Sequence, residues 1–318
     1  MRSSDGVAVP WLPSPLGLAA LSAYVIRQVP RLARAFEEVV DPLLEANLSD
    51  PEYRREVRTC MLGCVLKIGL AMWGYAGAAG VRFDVRLAAL AGAYTRLYDD
   101  LMDDPERPGF DHRFRTGVPS EDSELEALLV ALVLEIARRL DRPADDPVFG
   151  MVWRVHTLQL RSLRQRDPAV SDLEVADVTL GKGGWGVATL CALLRPRMSE
   201  AEQEVVVRLG GLLQVLDDHY DVVIDAANGV ATTATRGLYP LRALIREAAA
   251  VCRDVRGHYG RGRDRRLSAT LAAMVVIVPS LRIRELLRPR PAGSTPAEPS
   301  GARKLLLKRA HPIDVRGR

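Results

Sequence analysis

The residues best able to do chemistry lie in the stretch Tyr98-Asp99-Asp100-Leu101-Met102-Asp103-Asp104, which puts four carboxylates into six residues. At helical spacing Asp99 and Asp103 share one face, and Asp100 and Asp104 share the next. Like charges at i,i+4 weaken a helix by roughly a few tenths of a kcal/mol per pair, and Asp is a poor helix former. Two explanations are open for such a run: a helix end fraying into a solvated acidic loop, or a site for hard divalent cations. A second cluster bears on the choice. In Gln214-Val215-Leu216-Asp217-Asp218-His219-Tyr220-Asp221-Val222-Val223-Ile224-Asp225, the residues Asp217, Asp221 and Asp225 stand on one helical stripe. They fall late in their helix, where the macrodipole disfavours anions, so a purely stabilising role is hard to defend. Gly210 and Gly211 just upstream point to the close approach of a neighbouring helix.

Carboxylates facing each other across a helical bundle can hold Mg²⁺, which prefers oxygen ligands and binds through one or two carboxylates plus substrate phosphate. A di-iron bundle site is the rival, and it would need Glu-x-x-His pairs. None occurs here, and the chain has only five histidines. Ligand chemistry therefore favours magnesium with a phosphorylated ligand.

These acids need helices to carry them, and the chain reads as helical from residue 16 onward, without strand alternation. Helices are expected at about 16–28, 30–47, 51–77, 84–103, 120–139, 147–165, 171–195, 199–225, 240–258 and 267–288. Residues 105–121 and 228–239 read as loops. Residues 1–15, with Pro10, Pro13 and Pro15, form an irregular lead-in, and residues 290–318 read as a disordered basic tail. The expected fold class is all-α, a single-domain bundle over 16–289 of about ten or more helices.

Composition agrees. With 318 residues and 48% hydrophobic content, the chain can bury a large core. The net charge is only +4, with the basic excess gathered near Arg253–Arg266 and in the last thirty residues, unlike an evenly basic nucleic-acid binder. The stretch Arg253–Arg266 reads first as a solvated loop, next as a lid, and last as an RNA contact, since stacking aromatics are nearly absent. The four cysteines form neither a disulfide framework nor a zinc pattern, and Cys60 and Cys64 read as core. No signal peptide is visible, and the apolar runs are short or broken, Leu62–Ala79 by Lys67, so no transmembrane segment is expected. The expectation is a cytoplasmic protein that does not bind nucleic acid.

The sequence carries a resemblance at this point. Asp99-Asp100-Leu101-Met102-Asp103 resembles the first aspartate-rich motif, DDxxD, of the trans-isoprenyl diphosphate synthases. Gln214-x-x-Asp217-Asp218-x-x-Asp221 is similar to their second, QxxDDxxD. Lys182 in Gly181-Lys182-Gly183 resembles the lysine of the KTG segment, Arg115-Thr116-Gly117-Val118-Pro119-Ser120 the RRGxPT segment, and Arg236-Gly237-Leu238-Tyr239-Pro240-Leu241 the GKxTLPL segment. The resemblance covers roughly residues 55–245. It implies an isoprenoid synthase fold around a deep apolar cavity with both acidic helices at its mouth. It also implies three Mg²⁺ ions and a small-molecule allylic isoprenoid diphosphate of C10–C20 as substrate. Asp99, Asp103 and Asp217 would be ligands, supported by Asp100, Asp221 and Asp218. Lys182, Arg115, Gln214 and Arg236 would lie on the diphosphate side. Tyr94, Thr95 and Trp185 are the cavity candidates, although Tyr94 reads equally well as ordinary core and Trp185 reads more readily as plain packing. The assembly is compatible with a homodimer.

The departures matter too. The family pairs two arginines after the first motif, and Thr116 stands where the second would be. The dipeptide KT is Lys182-Gly183, and the upstream GKRxRP segment has only a partial counterpart in Arg54-Arg55-Glu56-Val57-Arg58. The parts that would hold a second diphosphate are thus degraded while the metal-binding parts are kept. The reading is a class I terpene synthase built on the prenyl-synthase plan, which ionises one allylic diphosphate and lets the cation cyclise. A prenyltransferase using isopentenyl diphosphate or another acceptor is the alternative, and a non-catalytic partner subunit is a third reading.

Overall fold

The computed structural model describes residues 27–104, 107–143, 145–260, 262 and 267. Among these the fold is all-α, with no strand. The helices are α1 (Val29–Val39), α2 (Asp41–Asn47), α3 (Pro51–Ala79), α4 (Val85–Asp103), α5 (Phe110–Thr116), α6 (Glu124–Leu140), α7 (Pro147–Ser162), α8 (Asp172–Leu194), α9 (Glu200–Ala227) and α10 (Leu241–Tyr259). A 3₁₀ turn, Leu163–Arg166, follows α7. The lead-in, most of the expected helix over 16–28, the helix over 267–288 and the tail lie outside the described residues.

The long helices begin where a short polar side chain takes an orphan amide. Asp50 accepts from Glu52, Asp84 from Arg86 and Leu87, Ser123 from Glu126, Ser171 from Glu174, and Ser199 from Glu202. Two expectations need correction. The segment expected as one helix over 30–47 breaks at Val40, because Pro42 in the first turn of α2 has no amide hydrogen to continue the preceding ladder. The loop expected over 105–121 contains α5, bounded by Gly109 and Gly117, both in the left-handed region.

Two helix pairs carry the acids. α4 packs along α3 and α9 packs along α8, with α7 beside α8. Glycines bring each pair into backbone contact. A Cβ on Gly92 of α4 would fall 2.6 Å from Val65 Cα of α3, and one on Gly183 of α8 would fall 2.6 Å from the carbonyl of Gly210 on α9. α1, α2 and α6 close the α3/α4 side around Phe36, Leu44, Met61, Leu90, Leu97, Leu128 and Leu132, all fully buried.

α3 also bears on the membrane question. It is long and apolar enough to cross a membrane by length and composition, and its lone Lys67 does not remove it from that class, contrary to the sequence expectation. In this fold α3 is a core helix, with Val57, Met61, Val65, Met72 and Tyr75 buried.

Candidate active site

The last turns of α4 divide the four carboxylates of the first cluster. Asp99 and Asp103 face α7 and α8. Asp99 Oδ1 lies 3.9 Å from Lys182 Nζ of α8, and Asp103 Oδ1 accepts a 3.1 Å bond from Gln159 Nε2 of α7. Arg166 donates to the Asp103 carbonyl at 3.1 Å. Asp100 and Asp104 turn away and meet arginines. Arg96 Nη2 stands 2.8 Å from Asp100 Oδ1, in poor hydrogen-bond alignment, so the contact is ionic. Arg107 Nε bonds Asp104 Oδ2 at 2.9 Å. Asp100 is 6% exposed. Its charge is balanced inside the protein, whereas Asp99 remains part-exposed towards α8.

The second cluster divides in the same way. Asp217 Oδ1 takes the ammonium of Lys67 at 2.5 Å, and Asp221 adds to the field on that lysine. Burial alone would lower the Lys67 pKa, but the charge of Asp217 and the bond to it outweigh burial and raise it. Asp218 points inward. It accepts from the Thr233 amide at 3.1 Å, Thr233 Oγ1 at 2.7 Å, Thr179 Oγ1 at 3.3 Å and Gln214 Nε2 at 3.4 Å. Burial pushes its carboxyl above the usual range, and these donors offset only part of that. Asp218 therefore ties α9 to α8 and to the loop after α9, with Gln214 bonding it from within α9. Asp225 is buried as well.

The two halves meet through crossed lysines. Lys67 reaches from α3 to Asp217 on α9, and Lys182 reaches from α8 to Asp99 on α4. Cys64, one turn before Lys67, lies within the field of the first cluster as well. Burial and the nearby Asp99 push its thiol up to about 12, while Lys67 and Arg96 pull the other way. This turn of α3 thus lies beside the first cluster and touches the second.

Among the described residues no three His, Cys, Asp or Glu side chains gather closely enough to hold a metal ion by themselves. That arrangement fits Mg²⁺, which takes one or two carboxylates and completes its shell with water and phosphate oxygens. A dedicated all-protein cage would not. The donors are all oxygen, and Asp99 and Asp217 each face a lysine ammonium, so positive charge is accepted at both.

The remaining sequence candidates are dispersed. Arg115 is exposed and lies 4.0 Å from Asp111. Arg236 donates to the carbonyls of Pro168 and Val170 and pairs with Asp172 at the start of α8. Neither is brought against the acids. Thr95 bonds back to the Ala91 carbonyl. Tyr94 stacks on Tyr98 at 5.6 Å, and the Arg154 guanidinium lies over the Trp185 ring at 3.8 Å.

Sequence reasoning missed Gln159, Arg96, Lys67 and a relay beside the first cluster. In that relay Asp111 Oδ1 lies 2.6 Å from His156 Nε2, and His156 Nδ1 lies 2.7 Å from Tyr98 Oη. Lys67 had a signal, as the one charge between Arg58 and Arg82, and so did Arg96, at i,i+4 from Asp100 on α4. Gln159 and the relay depend on how α5 and α7 fold back on α4.

No protein-family profile and no curated protein matches the sequence. Solved structures do. A geranyltransferase from Legionella pneumophila superposes with a TM-score of 0.50 at 14% identity, over 86% of this chain and 99% of that one. The chain shares that fold. A putative farnesyl-diphosphate synthase from Marinomonas sp. MED121 aligns with a TM-score of 0.45 at 14% identity, over 80% of this chain and 98% of that one.

Proposed function

We propose that this protein ionises an allylic prenyl diphosphate with Mg²⁺ and transfers the prenyl cation to an acceptor. The observation that carries the reading is the pair of carboxylate stripes, Asp99/Asp103 on α4 and Asp217/Asp221 on α9, linked by crossed lysines. Its support from outside the sequence is the fold shared with a geranyltransferase. The two stripes would hold Mg²⁺ together with the diphosphate oxygens. When bound, Mg²⁺ neutralises charge building on the departing diphosphate.

The chain's own groups supply the rest. Lys182 gives the diphosphate a charge-assisted hydrogen bond. Asp100, Asp104 and Asp218, each held by its own partners, keep the acid-bearing turns from rotating. Tyr94, Thr95 and Trp185, on the helices that carry Asp99 and Lys182, are assigned to walls that shield the cation from water.

A second reading rests on a specific observation. Arg54 donates twice to the Leu48 carbonyl, Arg58 grips Asp41, and Arg113 grips Glu126. Thr116 Oγ1 is bonded to the carbonyls of His112 and Arg113. Of the basic residues in and beside the two degraded segments, Arg54, Arg58 and Arg113 are therefore committed to the fold, while Arg55 and Arg115 are exposed. That favours cyclisation of a single C10–C20 substrate by a class I terpene synthase.

One experiment separates the readings. Purified protein is incubated with Mg²⁺ and geranyl, farnesyl or geranylgeranyl diphosphate, with and without isopentenyl diphosphate. A longer diphosphate formed only with the second substrate supports transfer. A hydrocarbon or alcohol from one substrate alone supports the cyclase. No turnover under any condition overturns the cyclase and transfer to isopentenyl diphosphate, and, together with binding to a partner, points to a non-catalytic subunit.

A further inference from the structure

The two lysines that cross the cleft differ in standing. Lys182 lies in a segment that already pointed to diphosphate, and it approaches Asp99 only to 3.9 Å. Lys67 comes from the middle of an apolar helix and makes the tighter pair, 2.5 Å to Asp217 Oδ1. A lone ammonium in such a stretch costs free energy unless something holds it. Asp217 does so here. The Lys67 side chain is nevertheless more than half exposed at 58%, so its four-carbon stem has room to swing. Asp221 adds to the field on Lys67, and Cys64 feels both Lys67 and Asp99, which puts this turn of α3 beside both acidic helices.

A carboxylate that ligates a divalent ion holds an ammonium more weakly, because two cations at contact distance repel. The ammonium is then readily given up by Asp217. The nearest strong acceptors created by the same event are the oxygens of the incoming diphosphate. Building on the proposed function, we propose that Lys67 is a second diphosphate-binding residue that holds Asp217 in the ligand-free protein. On loading, it exchanges that carboxylate for a diphosphate oxygen. No covalent bond changes in the exchange. One consequence is coupling. Metal alone must displace Lys67 with no new partner for it, whereas metal with diphosphate gives the ammonium somewhere to go. The two ligands therefore bind cooperatively.

The test uses full-length protein and the variants Lys67→Gln and Lys67→Arg. Mn²⁺ binding without diphosphate is read by electron paramagnetic resonance, and binding of inorganic diphosphate at saturating Mg²⁺ by calorimetry. Lys67→Gln is expected to bind Mn²⁺ alone severalfold more tightly. It is expected to bind diphosphate about tenfold more weakly, the size of one charge-assisted hydrogen bond. Lys67→Arg, which keeps the charge, retains most of the diphosphate affinity. The inference is overturned if Lys67→Gln changes neither quantity or only one of them, if it weakens both, or if Lys67→Arg behaves like Lys67→Gln. Circular dichroism checks the fold, and Lys67→Met replaces Lys67→Gln in both measurements should the latter unfold. Wild-type protein that binds neither Mn²⁺ nor diphosphate overturns the proposed function itself, a result distinct from failure of the Lys67 exchange alone.

Discussion

Each acidic cluster contains two kinds of aspartate, and the difference lies in what their neighbours do with the charge. Asp99 and Asp217 are part-exposed and meet lysines, whereas Asp100 and Asp218 are themselves buried and held by fixed partners. Asp99→Ala and Asp217→Ala are therefore expected to abolish turnover of an allylic diphosphate while leaving helicity unchanged. Wild-type-like rates with either variant would refute the assignment. Asp218→Ala should behave differently. It leaves Thr233 and Thr179 hydroxyls without their acceptor, and a cost of about 1–3 kcal/mol is expected in chemical denaturation. Glu126 offers a test by pH. Burial alone would raise its carboxyl, but Arg113, the Ser120 amide and Arg107 together bring it below its ordinary value of 4.5. A depressed folded-state pKa adds stability that is complete above the unfolded value and is lost as pH falls through the folded one. The denaturation midpoint should therefore drop as pH falls below about 4.5, and Glu126→Gln should flatten that part of the profile. The carboxylates themselves were legible in the sequence because i,i+4 spacing is a local property. Gln159, His156 and Asp111 were not, since their relation to the acids is set by folding of α5 and α7 back onto α4; Arg96, at i,i+4 from Asp100 on α4, was within reach of the same local rule.

At the level of elements, most helix positions could be read directly, because Ser and Asp caps and proline-led first turns act within a few residues. α5 was hidden by breakers that turned out to bound it: Gly109 and Gly117 close a seven-residue helix that is too short to show periodicity. The break at Val40 was missed for a related reason, since the apolar pattern runs on through Pro42 although the hydrogen-bond ladder does not. Gly210 and Gly211 of α9 were readable as a sign of close packing, but their partners on α8 were not. A Cβ on Gly210 would fall 2.4 Å from the Gly183 carbonyl and 2.7 Å from Val187 Cβ. Gly210→Ala must therefore push α9 off α8 and move Asp217 relative to Lys182. A loss of about 1–3 kcal/mol is expected from such overpacking. It should come with weaker diphosphate binding, although the substituted residue touches no ligand. Thermal melts and calorimetry on the one variant check both.

For the whole molecule, the fold could be anticipated as all-α, but the fate of the cation is not written in the fold. That fate depends on whether a second substrate is held, which is a matter of side chains such as Arg54, Arg58 and Arg113 and of what they already grip. The crossed lysine pairs have one more consequence, which concerns ionic strength. They join the α3/α4 half to the α8/α9 half through contacts that are partly exposed to solvent. The screening length shrinks from about 8 Å at physiological salt to about 3 Å at 1 M, so added sodium chloride loosens these ties without touching the apolar core. Amide hydrogen exchange in α9 around Asp217 should accelerate with salt in the ligand-free protein and lose that dependence once Mg²⁺ and diphosphate are bound.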